Sequence, residues 1–231
     1  MGSERRDHVV SRDSGDTLLR TSNPIPGNPW PHDMRITVQD KPSTLLDLLW
    51  IREAWQLEPA GTDLPPQLLD TPARVGGAER QRAPIGEWQD AWPELWHKCL
   101  QHAAAPRDPD LVERLKSTEN GSSERARLLK EIAGPSWDDR FGRDALTEDS
   151  RQWLRLLIER QMRGTPHALG AQPERVALDV LIPAWRAGLT TVVQIPCRGT
   201  FTRVVGENAL LVTSETRNDP ALYSAALALF P

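Results

Sequence analysis

Apolar positions recur at two periods along this chain, and the switches between them predict its elements. Over 41–57 (KPSTLLDLLWIREAWQL), Trp50, Ile51, Ala54 and Trp55 share one broad face at 100° per residue, which predicts an amphipathic helix. Thr44 stands where an N-cap belongs, and Asp47 three residues on completes an approximate capping box. Asp90 is placed to cap a helix reaching about Ala104, with Pro93 tolerated in its first turn. Further helices are predicted over 108–116, over 123–133 (stopped by Gly134-Pro135), and over Glu148–Arg163, where Trp153, Leu154, Leu157 and Ile158 face inward. Period two marks Met34–Val38 as a short strand. Residues 173–188 fit two templates. Pro173 and Gly188 bracket a helix bent at Pro183, the favoured reading, while Val176, Leu178, Val180 and Ile182 alternate as in a strand.

The densest β signal lies near the C-terminus. Thr190–Ile195, Phe201–Val205 and Ala209–Thr213 are short apolar or β-branched runs separated by turn chemistry at 196–199 and 206–208. Asp219 and Pro220 open a closing helix, with Leu222, Ala226 and Leu229 as its expected inner face. The expected fold is therefore a helix-rich α+β domain over 17–231. Its small C-terminal sheet has about three strands, to which Met34–Val38 can add, and the closing helix packs on it. Residues 1–16 read as a disordered tail. Residues 58–87 read as a long Pro/Gly-rich arm that either wraps the domain or acts as a lid.

Residues 187–227 resemble the donor-binding segment of retaining glycosyltransferases built from two Rossmann-like halves. The resemblance rests on Ala187, Gly188, Val192, Val193, Gly199, Val204–Gly206, Ala209–Val212, Asp219-Pro220 and Ala225–Leu227. It covers about a fifth of the chain, and Ile182-Pro183-Ala184 stands where that family carries a donor-contacting glutamate. What it implies is local: a βαβα alternative, with a short helix at 199–205, to the hairpin meander read from the turns.

Composition narrows the function classes. The chain has 231 residues with 28 basic and 32 acidic side chains, a net charge of −4 that gives no general attraction to nucleic acid or anionic membrane. No apolar run reaches the roughly 20 residues a membrane helix needs, and the N-terminus lacks an apolar signal core. Arginine far outnumbers lysine, as in GC-rich bacterial coding sequences. Cys99 and Cys197 are the only cysteines and lack CxxC spacing, which fits free thiols in a reducing cytoplasm. Nine tryptophans against one tyrosine and three phenylalanines predict an indole-rich core with a ring or two to spare for a binding surface.

Candidate chemistry is dispersed. Asp47 falls in the middle of an apolar helix face, where it either caps the first turn, the favoured role, or serves as a buried functional acid. His32 beside Asp33 is a second catalytic candidate. His97, Cys99 and His102 are the only cluster of soft ligands, but His97 points away from the other two on a helix, so no metal centre is expected. Trp137, Asp138, Asp139 and Arg140 are read as a loop. No G-x-S-x-G, H-E-x-x-H, Walker or G-x-G-x-x-G motif occurs, so no cofactor is expected. Trp88 is expected to precede its helix, partly exposed beside the arm that carries Arg74, Arg80 and Arg82. Together these make a binding-surface candidate. The leading expectation is a soluble cytoplasmic binding protein that meets its partner, protein or small molecule, through this arm. The alternative is a small-molecule enzyme whose site is assembled from Asp47, His32 and the arm's arginines.

Overall fold

The computed structural model describes residues 16–18, 29–163 and 169–230. The expected N-terminal tail lies outside the described residues except for Asp16. The chain runs β1 (Asp16–Leu18), β2 (Thr37–Gln39), α1 (Ser43–Ala54), α2 (Gly77–Arg82), α3 (Ile85–Ala104) and α4 (Leu111–Ser117). It continues through α5 (Ser123–Ala133), α6 (Asp138–Phe141), α7 (Glu148–Arg163), α8 (Pro173–Val176) and α9 (Leu178–Arg186). The last stretch is β3 (Thr191–Ile195), β4 (Thr202–Val205), β5 (Ala209–Thr213), α10 (Ser214–Asn218) and α11 (Pro220–Leu227). This is a helix-rich α+β fold with one small mixed sheet and a closing C-terminal helix.

The sheet has the order β1-β2-β3-β5-β4. β2, β3 and β5 run parallel, and β1 and β4 flank them antiparallel. Helices cover both faces, which explains why TVVQI and ALLVT read as near-continuous apolar runs: every residue of β3 and β5 is buried. Successive side chains point to opposite layers. Val193, Ile195, Ala209 and Leu211 join a core with α1 and α3, while Val192, Leu210 and Val212 join one with Ile36, Val38, α9 and α11.

The meander and the βαβα alternative are both replaced. Residues 202–205 are a strand, so the helix implied by the glycosyltransferase resemblance is absent. Among the described residues that strand pairs with β5 alone, at the sheet edge, and β5 occupies the place beside β3. The chain lengths account for this. The tight turn at Gly206 (φ 58°) joins adjacent strands, while 196–201 is long enough to cross over β5, two strand spacings or roughly 10 Å away from β3. Residues 173–186 are helical, but the break falls at Ala177 (φ −93°, ψ 21°) and not at Pro183, which sits within α9.

α3 begins at Ile85, five residues before the expected cap at Asp90, so Pro93 lies in the interior of a 20-residue helix. An interior proline forfeits one helical hydrogen bond, a penalty of about 3 kcal/mol. Three buried indoles on the same face outweigh it: Trp88, Trp92 and Trp96 are at most 4% exposed. Trp88 meets Trp55 and Trp137 edge-on at 4.9 and 5.4 Å, and Trp92 stacks on Trp96 at 5.3 Å. The expectation of a partly exposed Trp88 ahead of its helix is thereby corrected. SWDDRFG contains the short helix α6 rather than only a loop. In α11 Asp219 caps as read, but the inward residues are Tyr223, Ala226 and Leu227, and Leu229 is exposed.

Candidate functional site

In open sheets with parallel strands, ligands settle outside the strands' carboxyl ends, where loops and helix N-termini converge. Here β3 and β5 present such an edge. The arm closes most of it over β3. Leu68 bridges Cys197, Leu69 N–H donates to the Pro196 carbonyl (2.9 Å), and Arg198 Nε donates to the Leu68 carbonyl (2.9 Å). Arg52, itself buried, holds the arm from beneath by donating to the carbonyls of Pro65 (2.7 Å) and Pro66 (2.6 Å). The 58–87 segment is therefore a fastened wrap, not a lid.

β2 stops short of that edge: Gln39, its last residue, is level with Val193 in the middle of β3. A cleft of about 130 Å³ is lined by Gln39 at the end of β2, Lys41, Ser43 and Thr44 at the start of α1, and His102 and Arg107 from α3 and the turn after it. The sequence QDKPST makes this local geometry. A strand ends, Pro42 halts the extended chain, and the helix starts with no side chain capping it. The N–H groups of Ser43, Thr44 and Leu45 have no carbonyl four residues back within the helix, and Leu46 N–H is the first to make that bond, to the Pro42 carbonyl (3.0 Å). Gln39 pairs in register with Val193, so its side chain points toward the α3 layer. Gln39 is 2% exposed, and its amide nitrogen is buried without a hydrogen-bond partner among the described residues. His102 donates through Nε2 to the Glu131 carbonyl (2.9 Å). Its ring lies against Gly134 (φ +71°), where a Cβ would come 2.3 Å from Nδ1.

One turn beyond Thr44 on the same helix face stands Asp47. It makes no cap: the N-cap position is Pro42, and Asp47 lies past the first turn. The favoured capping role is corrected. Burial, aided by the nearby Asp138 carboxylate, raises its pKa from 3.8 to about 7. Asp138 accepts from Arg143 Nε at 2.9 Å through one oxygen, while its other oxygen is buried without a partner among the described residues. Cys99 sits among these groups. Burial above all pushes its thiol up to about 11, and Sγ donates to the Pro135 carbonyl (3.2 Å), so it is no nucleophile at neutral pH.

The other sequence-derived candidates are not brought to this place. His32 is exposed in the loop before β2, at the opposite end of that strand from α1. Arg80 donates to the carbonyls of Trp55 (2.9 Å) and Gln56 (3.3 Å), closing the C-terminus of α1. Arg74 and Arg82 are exposed, and Trp88 is core, so no exposed indole accompanies them. Among the described residues no group of three or more potential ligands could hold a metal ion. No described helix is long and apolar enough to cross a membrane.

Sequence reading missed Gln39 and Lys41, although the strand–turn–helix order of ITVQDKPST was there to be used. It also missed a buried polar set on the sheet's other face. Glu174, 1% exposed, accepts from Arg217 Nε and Nη2 at 2.8 Å each and from the Tyr223 hydroxyl at 3.0 Å. Arg217 Nη1 also donates to Gln194 Oε1 (2.9 Å), and Gln194 donates to Ser214 (3.1 Å). With its partners all within the fold, this set ties α8, α10, α11 and β3 together. A larger cleft, about 350 Å³, flanks β4 near His97, Arg203 and Asn208. Those groups are bound to Pro93, Asp63 and Ala104 respectively, and the cleft opens toward the amino ends of the parallel strands. The chain matches no family model, no curated protein and no solved structure.

Proposed function

We propose that this is a cytoplasmic small-molecule-binding protein whose ligand seats a polar group in the Gln39 cleft. The carrying observation is Gln39 itself. A buried amide without a partner destabilises a fold by about 1–3 kcal/mol, and an apolar residue of similar shape avoids that penalty. Its presence at the wall of a cleft, at the carboxyl end of a parallel strand, is accounted for by a partner that arrives from solution. The arm's fastening to the body and the burial of Trp88 weigh against the alternative in which the arm meets a protein partner. The buried thiols of Cys99 and Cys197 support a reducing compartment.

The test is a thermal-shift screen of the wild-type protein and Gln39→Leu against a broad panel of charged and neutral metabolites. The unliganded variant is expected to melt at or above the wild-type temperature. Ligands that raise the wild-type melting temperature should leave the variant unmoved. A panel in which no compound distinguishes the two proteins overturns the proposal.

A second reading, an enzyme, is favoured by one observation. Asp47 titrates near neutrality one turn from the cleft, the range suited to a general acid or base. Under that reading Asp47→Asn abolishes turnover of a ligand that it still binds.

A further inference from the structure

The cleft's chemistry is one-sided. Lys41 and Arg107 bring positive charge, Ser43 brings a hydroxyl, and Gln39 brings an unmet N–H donor, while the Thr44 side chain is hydrogen-bonded to Cys99. No described residue lining the cleft is acidic. Asp40, the nearest acid in sequence, does not line the cleft; Lys41 and then Arg217 are its opposing charges, with Glu174 as a like-charged neighbour. The uncapped start of α1 adds backbone N–H donors and the positive end of a 12-residue helix. Helix starts of this kind hold anions because the donors and the dipole act on the same atoms. A helix start alone would not suffice, since water satisfies most of them. The buried, unpartnered Gln39 amide is what marks this one as built for an acceptor.

Size narrows the ligand further. At about 130 Å³ the cleft falls well below the roughly 300 Å³ that houses a whole small-molecule ligand. A cleft of that size accommodates a compact head group and not a whole drug-sized molecule. Donors also reach it from several directions: Gln39 from the sheet, Ser43 and the Thr44 amide from the helix start, Lys41 and Arg107 from the rim. That arrangement suits a tetrahedral oxyanion with acceptors on every side better than a flat carboxylate.

Building on the small-molecule reading above, we infer that the cleft is a phosphate-binding site and that the ligand is a small phosphate-bearing molecule, held by its phosphoryl oxygens. Gln39 donates from the floor, the Ser43–Leu45 amides from the helix start, and Lys41 supplies the countercharge.

Isothermal titration with inorganic phosphate and with phenyl phosphate, at low ionic strength, tests this. Both should bind the wild-type protein, and affinity should fall as salt is raised, because the rim charges are screened. Gln39→Leu and Lys41→Met should each weaken binding about tenfold or more, with melting of the unliganded proteins unchanged or raised. Lys41→Arg should retain most of the affinity. If phosphate and phenyl phosphate fail to bind while a neutral ligand from the thermal-shift panel binds in a Gln39-dependent way, the phosphate assignment is wrong and the small-molecule reading stands. If phosphate binds equally to wild type, Gln39→Leu and Lys41→Met, it binds elsewhere and the assignment is wrong. If no ligand of any kind depends on Gln39, both readings fall.

Discussion

Replacing Asp47 by asparagine separates a half-buried acid from a helix cap. The unfolded chain holds this carboxyl at its ordinary value of 3.8, whereas burial and Asp138 hold it at about 7 in the fold. Between these values the folded state keeps a proton that the unfolded state has lost, so stability falls as pH rises from about 4 to about 7. At about 1.4 kcal/mol per pH unit, the full shift sets a ceiling near 4 kcal/mol. Asp47 is half-buried, and screening by water brings the expected effect to about 1–3 kcal/mol. Asparagine keeps the shape and removes the titration. Urea unfolding at pH 4, 5.5, 7 and 8 should therefore show the two proteins nearly equal at pH 4 and Asp47→Asn the more stable at pH 8. Asp138→Asn removes the like charge beside Asp47 and should shrink the difference. A gap between wild type and Asp47→Asn that is constant from pH 4 to 8 would refute the reasoning. A loss of about 1 kcal/mol or less at every pH would restore the cap.

Trp88→Ala should lower stability by about 3–5 kcal/mol, since the ring is buried and lies edge-on to Trp55 and Trp137; a variant melting within 2 °C of wild type would put Trp88 outside the core. Arg217→Met should cost about 3–5 kcal/mol in chemical denaturation by leaving the Glu174 carboxylate buried and unpaired, and adding Glu174→Leu should recover much of that loss. A double variant no more stable than Arg217→Met would contradict the ion-pair account.

Much of the fold is legible in local chemistry. The strands at 191–195 and 209–213, the Gly134 stop of α5 and the Asp219-Pro220 start of α11 follow from residue type and spacing, because each is decided within a few residues. What local pattern does not contain is which strand lies beside which. β4 and β5 form a hairpin, yet the parallel pairing of β3 with β5 depends on two helical layers that bury both faces at once. Pro93 misled in a similar way. Its propensity argued for a helix start, and tertiary burial of the Trp88, Trp92 and Trp96 stripe overrode it.

The candidate site was harder to see. Asp47 stood out because a carboxylate interrupts an apolar face, and the structure moves it from cap to half-buried acid. Gln39 was invisible for the opposite reason: a polar residue at the end of an alternating strand looks solvent-facing until β3 and α3 cover it. The arginines of the arm attracted attention as a group, but Arg80 is spent closing α1, and grouping in sequence did not become grouping in space.

The central claim, that a small ligand seats at the Gln39 cleft, is met most directly by a ¹H–¹⁵N correlation titration of the whole protein with phenyl phosphate. The account predicts saturable shifts of the Ser43, Thr44 and Leu45 amides and of the Gln39 side-chain amide, with the arm at 58–76 unmoved. Resonances at 39–45 that stay fixed while others shift, or a spectrum unchanged up to the highest concentration reached, would contradict it.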